Sequence, residues 1–398
     1  MDHIDYKVSD NKITVYLKGH IDSANAGAVE AEIGEALKSG TYSSVIFDCS
    51  DLKYLSSAGL RIVLRTKKEH PDLELTEVSP EVYDIFDMTG FTEMMTVRRA
   101  FRRISVEGCE VIGEGANGLV YRIDPDTILK YYRNPDSLKD IERERELARK
   151  AFVMGIPTAI PYDVVRVNDG YGSVFELLNA KSLAKILIAE PERIDEVVKM
   201  YVDLLKTIHS TELKHGEMPD SRETVAKWMD NIDGVLPEDQ YAKLKAMAAE
   251  MPEDNHIVHG DYHLKNVMVQ SGEALLIDMD TLCLGTPVFE FGSIYNAYVG
   301  FSELDSAILK SFMGIDREVG LALWDKTLRQ YLGTDDAAVI EKFADRAMLF
   351  GYVRMLQRSV KRKKTDRPYK QEEIDNDIRH IGELLEKVDS FGFDPAAV

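Results

Sequence analysis

Cysteine is scarce in this sequence: Cys49, Cys109 and Cys283 are widely separated and never form a C-x-x-C pair. An odd, dispersed set excludes a disulfide framework and a cysteine-built zinc site, and reads as free, reduced thiols. Long apolar runs are missing too. No stretch approaches the roughly 20 residues that a membrane helix needs, and the N-terminus, MDHIDYKVSD, is acidic where a secretory leader is basic and then apolar. No membrane contact is expected, and the expected location is the cytoplasm. Positive charge is in deficit, with 49 Lys and Arg against 69 Asp and Glu for a net charge of −20. Such a chain repels a phosphate backbone, which disfavours any nucleic-acid partner.

What is present describes a globular protein, 44% hydrophobic and 30% charged. Its 398 residues exceed one ordinary core and imply two or three domains. In the first hundred residues, Ile13, Val15 and Leu17 alternate with polar neighbours as in a half-buried strand. Val29, Ile33 and Leu37 follow at helical spacing, then a strand at 45–47, a helix after Ser56 and Ser57, a strand near 73–75 and a short helix holding Val82 and Phe86. Alternating strands and helices predict a small α/β domain. A Ser before Leu60, Val63 and Leu64 is well placed to cap their helix. The arginine-rich stretch 98–104 marks the boundary, with domains expected at 1–100 and 101–398.

Residues 259–280, HGDYHLKNVMVQSGEALLIDMD, set Asp261, Asn266, Asp278 and Asp280 around two apolar runs. With Ser271 and Gly272 as a turn, the runs form a hairpin whose open end gathers three carboxylates and an amide. Crowded carboxylates repel unless a cation neutralises them. Hard oxygen ligands favour Mg²⁺ over zinc, and Mg²⁺ in such a site accompanies a nucleotide.

Upstream, VIGEGANGLVYRI carries Gly113, Gly115 and Gly118 in G-x-G-x-x-G register. A dinucleotide-binding turn would open a helix, whereas Leu119, Val120 and Ile123 continue as a strand. Glycine lets backbone approach phosphate closely. The next strand, DTILKYY, buries Lys130 between apolar residues, and the following helix offers Glu142, Glu144 and Glu146 as partners. Glu144 shares a face with Ala148 and Ala151 and is preferred over Glu146. Further on, a long helix ends near His209, a packing residue by its apolar face, and the basic run RSVKRKKTDR at 358–367 reads as a solvated helix end.

Two family resemblances are carried by these motifs. LKGHIDSANA, IFDCSDLKYLSSAGLRIVL and MTGFTEM resemble a STAS domain, the fold of bacterial anti-sigma factor antagonists. That resemblance implies a phosphorylatable serine, Ser57 first and Ser56 second, and an anti-sigma factor or other regulator as partner. A plain helix-capping role for the two serines stays open beside it.

H-G-D-x-H-x-x-N followed by I-D-x-D resembles the aminoglycoside phosphotransferase, choline kinase and fructosamine kinase group, relatives of the protein kinases. It implies an α+β two-lobed kinase-like fold, with a small lobe at about 105–178 and a helical lobe at about 179–398. It also implies ATP and Mg²⁺, with Asp261 as the base, Asn266 and Asp278 as metal ligands, Lys130 on the phosphates paired with Glu144, and backbone at Glu176 and Leu178 around adenine. His259 would be structural, and His263 would stand where protein kinases have a lysine. Lys265 would reach the γ-phosphate or face solvent. Glu290 stands where the group often has an Asp that braces the catalytic loop.

The expected activity is phosphoryl transfer from ATP to a hydroxyl of a small molecule of the aminoglycoside, sugar or amino alcohol class. The alternatives are phosphorylation of Ser57 or Ser56 and a non-catalytic nucleotide-binding signalling module.

Overall fold

The structure, a computed structural model, describes residues 3–114, 118–134, 137–365 and 367–393. The chain divides into two compact units, Met1–Ser105 with Val164–Asp169, and Val106–Asp163 with Gly170–Val398. No described helix is long and apolar enough to cross a membrane.

In the first unit, β1 (Ile4–Ser9), β2 (Lys12–Ile21), β3 (Ser44–Leu55), β4 (Glu74–Val78) and β5 (Val97–Arg99) form one sheet in that order. Asp10 and Asn11 close the β1–β2 hairpin at φ of 50° and 60°, a two-residue turn whose twist matches the strands. Only Ile4 of β1 is buried, so this strand has no hydrophobic alternation to betray it in the sequence. The other strand pairs are parallel and need crossovers. These are α1 (Ala26–Lys38), α2 (Ser57–Glu69), and α3 (Pro80–Met88) with the single-turn α4 (Phe91–Met94). Ile13, Val15 and Leu17 pack with Phe47, Val63 and Phe86 in the core. A Cβ at Gly59 would lie 2.4 Å from Leu55 Cδ1, so the glycine is what lets α2 seat against β3.

After Ser105 comes a sheet ordered β6-β7-β8-β10-β9, built from β6 (Glu110–Glu114), β7 (Gly118–Asp124), β8 (Thr127–Tyr132), β9 (Pro161–Val167) and β10 (Gly170–Glu176), with α5 (Leu138–Val153) after β8. Next come β11 (Lys181–Ser182), α6 (Leu183–Ala189), α7 (Ile194–His209), α8 (Ser221–Ile232) and α9 (Glu238–Ala249). β12 (Ile257–Val258) pairs with β15 (Cys283–Leu284), and β13 (Val267–Gln270) with β14 (Glu273–Leu276) across Ser271 and Gly272, both at positive φ.

The rest is helical: α10 (Pro287–Tyr298), α11 (Ala307–Met313), α12 (Arg317–Leu332), α13 (Ala337–Lys364) and α14 (Gln371–Leu385). This is the α+β, kinase-like class implied by the second resemblance. α10 is buried from Val288 to Tyr298 and crosses α13 where Gly292 meets Gly351. A Cβ on Gly292 would lie 2.7 Å from Phe350 Cβ, and one on Gly351 3.2 Å from Gly292 O, so backbone meets backbone there. At 28 residues α13 is a rod about 42 Å long.

Candidate active site

The loop between β12 and β13 is held by its own backbone. Gly260 sits at φ +78°, and a Cβ there would lie 2.8 Å from Thr281 O, so both conformation and space demand glycine. Glu290, in the first turn of α10, is fully buried and accepts the N–H groups of His259 and Gly260, the latter at 3.0 Å. Burial would raise its pKa, but His209, its Nε2 3.8 Å from Oε2, and His259, whose amide donates to the carboxylate, outweigh this and lower it. The glutamate therefore reaches the loop despite its extra methylene. His209 Nδ1 meets Tyr331 Oη at 2.8 Å, making it a buttress behind Glu290.

His259 has one admissible tautomer. Its Nδ1 accepts from Asp261 N at 3.2 Å, so Nε2 carries the hydrogen donated to Ile277 O at 3.2 Å. The loop thus presents Asp261 with a 44% exposed side chain. Its Oδ1 is 3.3 Å from Arg354 Nη2, while Arg354 Nη1 donates to Gly260 O at 2.6 Å. Asn266 Nδ2 donates to Asp261 O at 3.0 Å, which leaves Asn266 Oδ1 without a protein partner among the described residues. His263 Nε2 lies 3.7 Å from Asp261 Oδ2, and burial, partly offset by Asp261, pushes the His263 pKa down to about 4. That imidazole is neutral near pH 7.

Across the cavity, Lys130 on β8 joins two carboxylates, with Nζ 2.7 Å from Glu144 Oε1 and 2.6 Å from Asp278 Oδ1. Burial alone would lower its pKa, but Glu144 and Asp278 outweigh that and raise it, so it stays charged. Burial would raise the Asp278 pKa, and Lys130 reverses the shift. Tyr132 donates to Glu144 Oε2. Glu146 instead pairs with Arg149 on the surface at 3.0 Å. Asp280 is raised to about 7 by burial and then by Asp278 and Glu144, so it titrates near neutral pH. Lys130 and Arg354 relieve the crowding of acids within the protein.

A cavity of about 1030 Å³ is lined by Gly113, Gly118, Lys130, Glu144, Glu176, Leu178, Asp261, Asn266 and Asp278 together. Gly115 lies outside the described residues. The two described glycines differ. A Cβ on Gly118 would fall 1.8 Å from Tyr131 O, whereas one on Gly113 would meet Val120 no closer than 3.5 Å. The N–H of Glu176 is engaged by Ile160 O and that of Leu177 by Asp126 O, while the Leu178 N–H bonds to nothing among the described residues. Lys265 Nζ lies over the Phe312 ring at 5.1 Å on the same wall.

Among the described residues no three His, Cys, Asp or Glu side chains converge as a metal site. The donors at hand, Asn266 Oδ1 with the Asp278 and Asp280 carboxylates, are hard oxygens, which fits Mg²⁺ completing its shell from phosphates and water.

Ser56 and Ser57 lie in the other unit. Ser56 is the N-cap of α2, its Oγ accepting Ala58 N at 3.2 Å, and Ser57 is exposed with no side-chain bond among the described residues. Sequence reasoning missed Tyr132 and Arg354. Tyr132 stands two residues from Lys130 on the same strand face, a signal that was there to use. Arg354 lies far downstream in α13, and nothing local marks it.

A profile described as Phosphotransferase enzyme family matches residues 108–324, more than half of the chain, and a STAS domain profile matches residues 3–104. Over 92 residues the chain is 36% identical to BtrV of Bordetella bronchiseptica, a protein named for an anti-sigma factor antagonist role, covering 22% of this chain and 78% of that one. Among solved structures, a thermostable mutant of aminoglycoside phosphotransferase APH(4)-Ia in ternary complex with AMP-PNP and hygromycin B is similar at a TM-score of 0.50. Its identity is 14%, over 71% of this chain and 96% of that one. A choline/ethanolamine kinase family protein from Mesorhizobium loti has a TM-score of 0.46 and 14% identity, over 70% of this chain and 88% of that one. By the extent of the first match, the chain belongs to the phosphotransferase enzyme family and carries a STAS domain at its N-terminus.

Proposed function

We propose that the protein transfers the γ-phosphoryl group of ATP, with Mg²⁺, to a hydroxyl of a small molecule in the sugar, amino alcohol or aminoglycoside range. In this reading residues 101–398 are the catalytic part and residues 1–100 a regulatory STAS part that meets an anti-sigma factor or another regulator. The carrying observation is the meeting of Lys130, Glu144 and Asp278 at one side of a cavity into which a braced loop offers Asp261.

Gly118 lets β7 lie against the Tyr131 backbone of β8, and Lys130 on that strand, held charged by two carboxylates, sits ready for phosphates. Asn266 and Asp278 would hold Mg²⁺, which when bound neutralises phosphate charge. Asp261 takes the proton of the acceptor hydroxyl as that oxygen bonds to the γ-phosphorus and the bond to the ADP oxygen breaks. Arg354, on Asp261 Oδ1 and Gly260 O, fixes the carboxylate's direction. Positioning and electrostatics supply most of the acceleration.

A second reading makes Ser57 the acceptor. Its exposed, unbonded hydroxyl favours it over Ser56, which is engaged as a cap. One experiment addresses both: incubation with γ-labelled ATP and Mg²⁺, then intact mass and peptide mapping, wild type beside Asp261→Asn. Asp261→Asn is expected to lower transfer by roughly 10²–10⁴-fold with ATP binding retained. Wild-type turnover in the variant removes Asp261 from the role. Label on Ser57 selects the second reading, and ATP consumption without labelled protein selects the first.

A further inference from the structure

Three arginines stand one turn apart on α13, Arg354, Arg358 and Arg362, and all three line the cavity that holds Asp261. Only the first has an acidic partner, since Arg354 is bound to Asp261 and Gly260. Arg358 lies with its guanidinium 5.6 Å from the centre of the Phe301 ring, and neither it nor Arg362 makes a salt bridge or side-chain hydrogen bond among the described residues. Their neighbours in the basic run do find partners: Lys363 donates to Gln371 Oε1 at 3.0 Å and Lys364 to Asn231 O at 2.8 Å. Basic residues in the last turn of a helix answer its dipole, but that effect fades within one turn and does not reach Arg358 or Arg354.

The acids on the same side bond elsewhere, although the charges of Asp261 and Glu373 also reach Arg358. Glu373 has Lys370 at 3.9 Å, Glu303 has His380 at 2.7 Å, and exposed Asp305 accepts the Ala307 N–H at 3.0 Å. Asp377 is buried and pushed up to about 8 by burial and by Glu373 and Glu303, so it is mostly neutral at pH 7. What remains is an excess of unpaired guanidinium in a protein whose net charge is −20. Guanidinium groups at this spacing suit an oxyanion, phosphate above all, which they grip with paired N–H donors.

We propose that Arg358 and Arg362 form an anion subsite, and that the acceptor is a hydroxyl compound carrying a phosphate or carboxylate rather than a polycation. Each four-residue step along α13 advances about 6 Å. With Arg354 at Asp261, the anion then lies about one to two turns, roughly 6–12 Å, from the hydroxyl that receives the phosphoryl group. A hexose phosphorylated at the end remote from the reacting hydroxyl has this reach, and an aminoglycoside has the wrong charge. The proposal rests on the phosphotransferase reading for the role of Asp261, but the subsite itself can be tested without turnover.

Four probes on one ring isolate charge: glucose 6-phosphate, glucuronate, glucose and glucosamine. Binding is measured by calorimetry on the full chain saturated with ADP and Mg²⁺, for wild type, Arg358→Ala and Arg358→Ala/Arg362→Ala. The expected order places the two anions above glucose and glucosamine, with a loss of about tenfold or more for each arginine removed. Preference between glucose 6-phosphate and glucuronate tells phosphate from carboxylate. Arg358→Lys should restore part of the loss, and unchanged circular dichroism shows that the variants fold. Equal or undetectable binding of the four probes overturns the proposal, as does anion binding that survives the double variant. Anion binding without any transfer from γ-labelled ATP keeps the subsite and sinks the phosphotransferase reading.

Discussion

At the Lys130 side of the cavity the charges are matched within the protein, ammonium against two carboxylates and a carboxylate against loop amides. Along α13 they are not, with Arg358 and Arg362 facing the same space unpaired. A group already bonded is there to hold shape, and removing it leaves its partner stranded. A group left unbonded awaits something, and removing it costs the fold little. The contrast between partnered and waiting groups separates framework from recognition.

The largest effect expected is at the framework. Glu290→Ala leaves the buried N–H groups of His259 and Gly260 without an acceptor, which should cost about 3 kcal/mol or more of stability in urea unfolding and collapse the Asp261 loop. Glu290→Gln keeps an acceptor and should lose less. Because the Glu290 pKa is lowered on folding, its contribution is full above the usual carboxylate value of 4.5 and fades as pH falls through the folded value. Alanine and glutamine variants of equal, wild-type stability would erase the distinction drawn here.

Asp377 gives an effect of opposite sign in pH. Its Oδ2 is buried without a hydrogen bond, and its pKa rises from the usual 3.8 to about 8. Between those values the unfolded chain releases this proton while the folded chain keeps it. Wild-type stability therefore falls as pH rises through that window, by up to about 1.4 kcal/mol per pH unit, and is unaffected below it. Asp377→Asn should remove this dependence, so melts of the two proteins should diverge from pH 5 to pH 8 in favour of the variant. Parallel curves would mean that the carboxyl finds a partner or water.

The smallest effect transfers the same contrast to the STAS domain. Ser56→Ala removes the cap of α2 and should destabilise by about 1 kcal/mol, whereas Ser57→Ala, losing an unbonded hydroxyl, should stay within about 0.5 kcal/mol. Equal losses would mean that both hydroxyls serve the helix.

Much of this arrangement was legible in the sequence because it is local. Strand alternation placed Lys130 inward, helix periodicity put Glu144 on the buried side of α5, and the hairpin around Ser271 and Gly272 carried Asn266 and Asp278 to one end. What could not be read is what depends on packing between distant segments. Glu290 looked one methylene too long, and whether it fits is set by where α10 lies against the loop. Arg358 and Arg362 looked like part of a solvated helix end and Arg354 carried no local mark, because which face of α13 meets the cavity is settled by its crossing with α10. β1 escaped for the reverse reason, being pinned by a turn and main-chain pairing with almost no burial of its own.

The glycine crossing of α10 and α13 has a further consequence. It clamps α13 so that one mark, Arg354, is fixed at Asp261, the proposed base, and each later mark falls four residues further on. Such a rod is a ruler with divisions of about 6 Å. Moving one guanidinium by four positions along it would change the length of molecule that fits without disturbing the chemistry at its origin, so substrate length and catalysis can be altered separately.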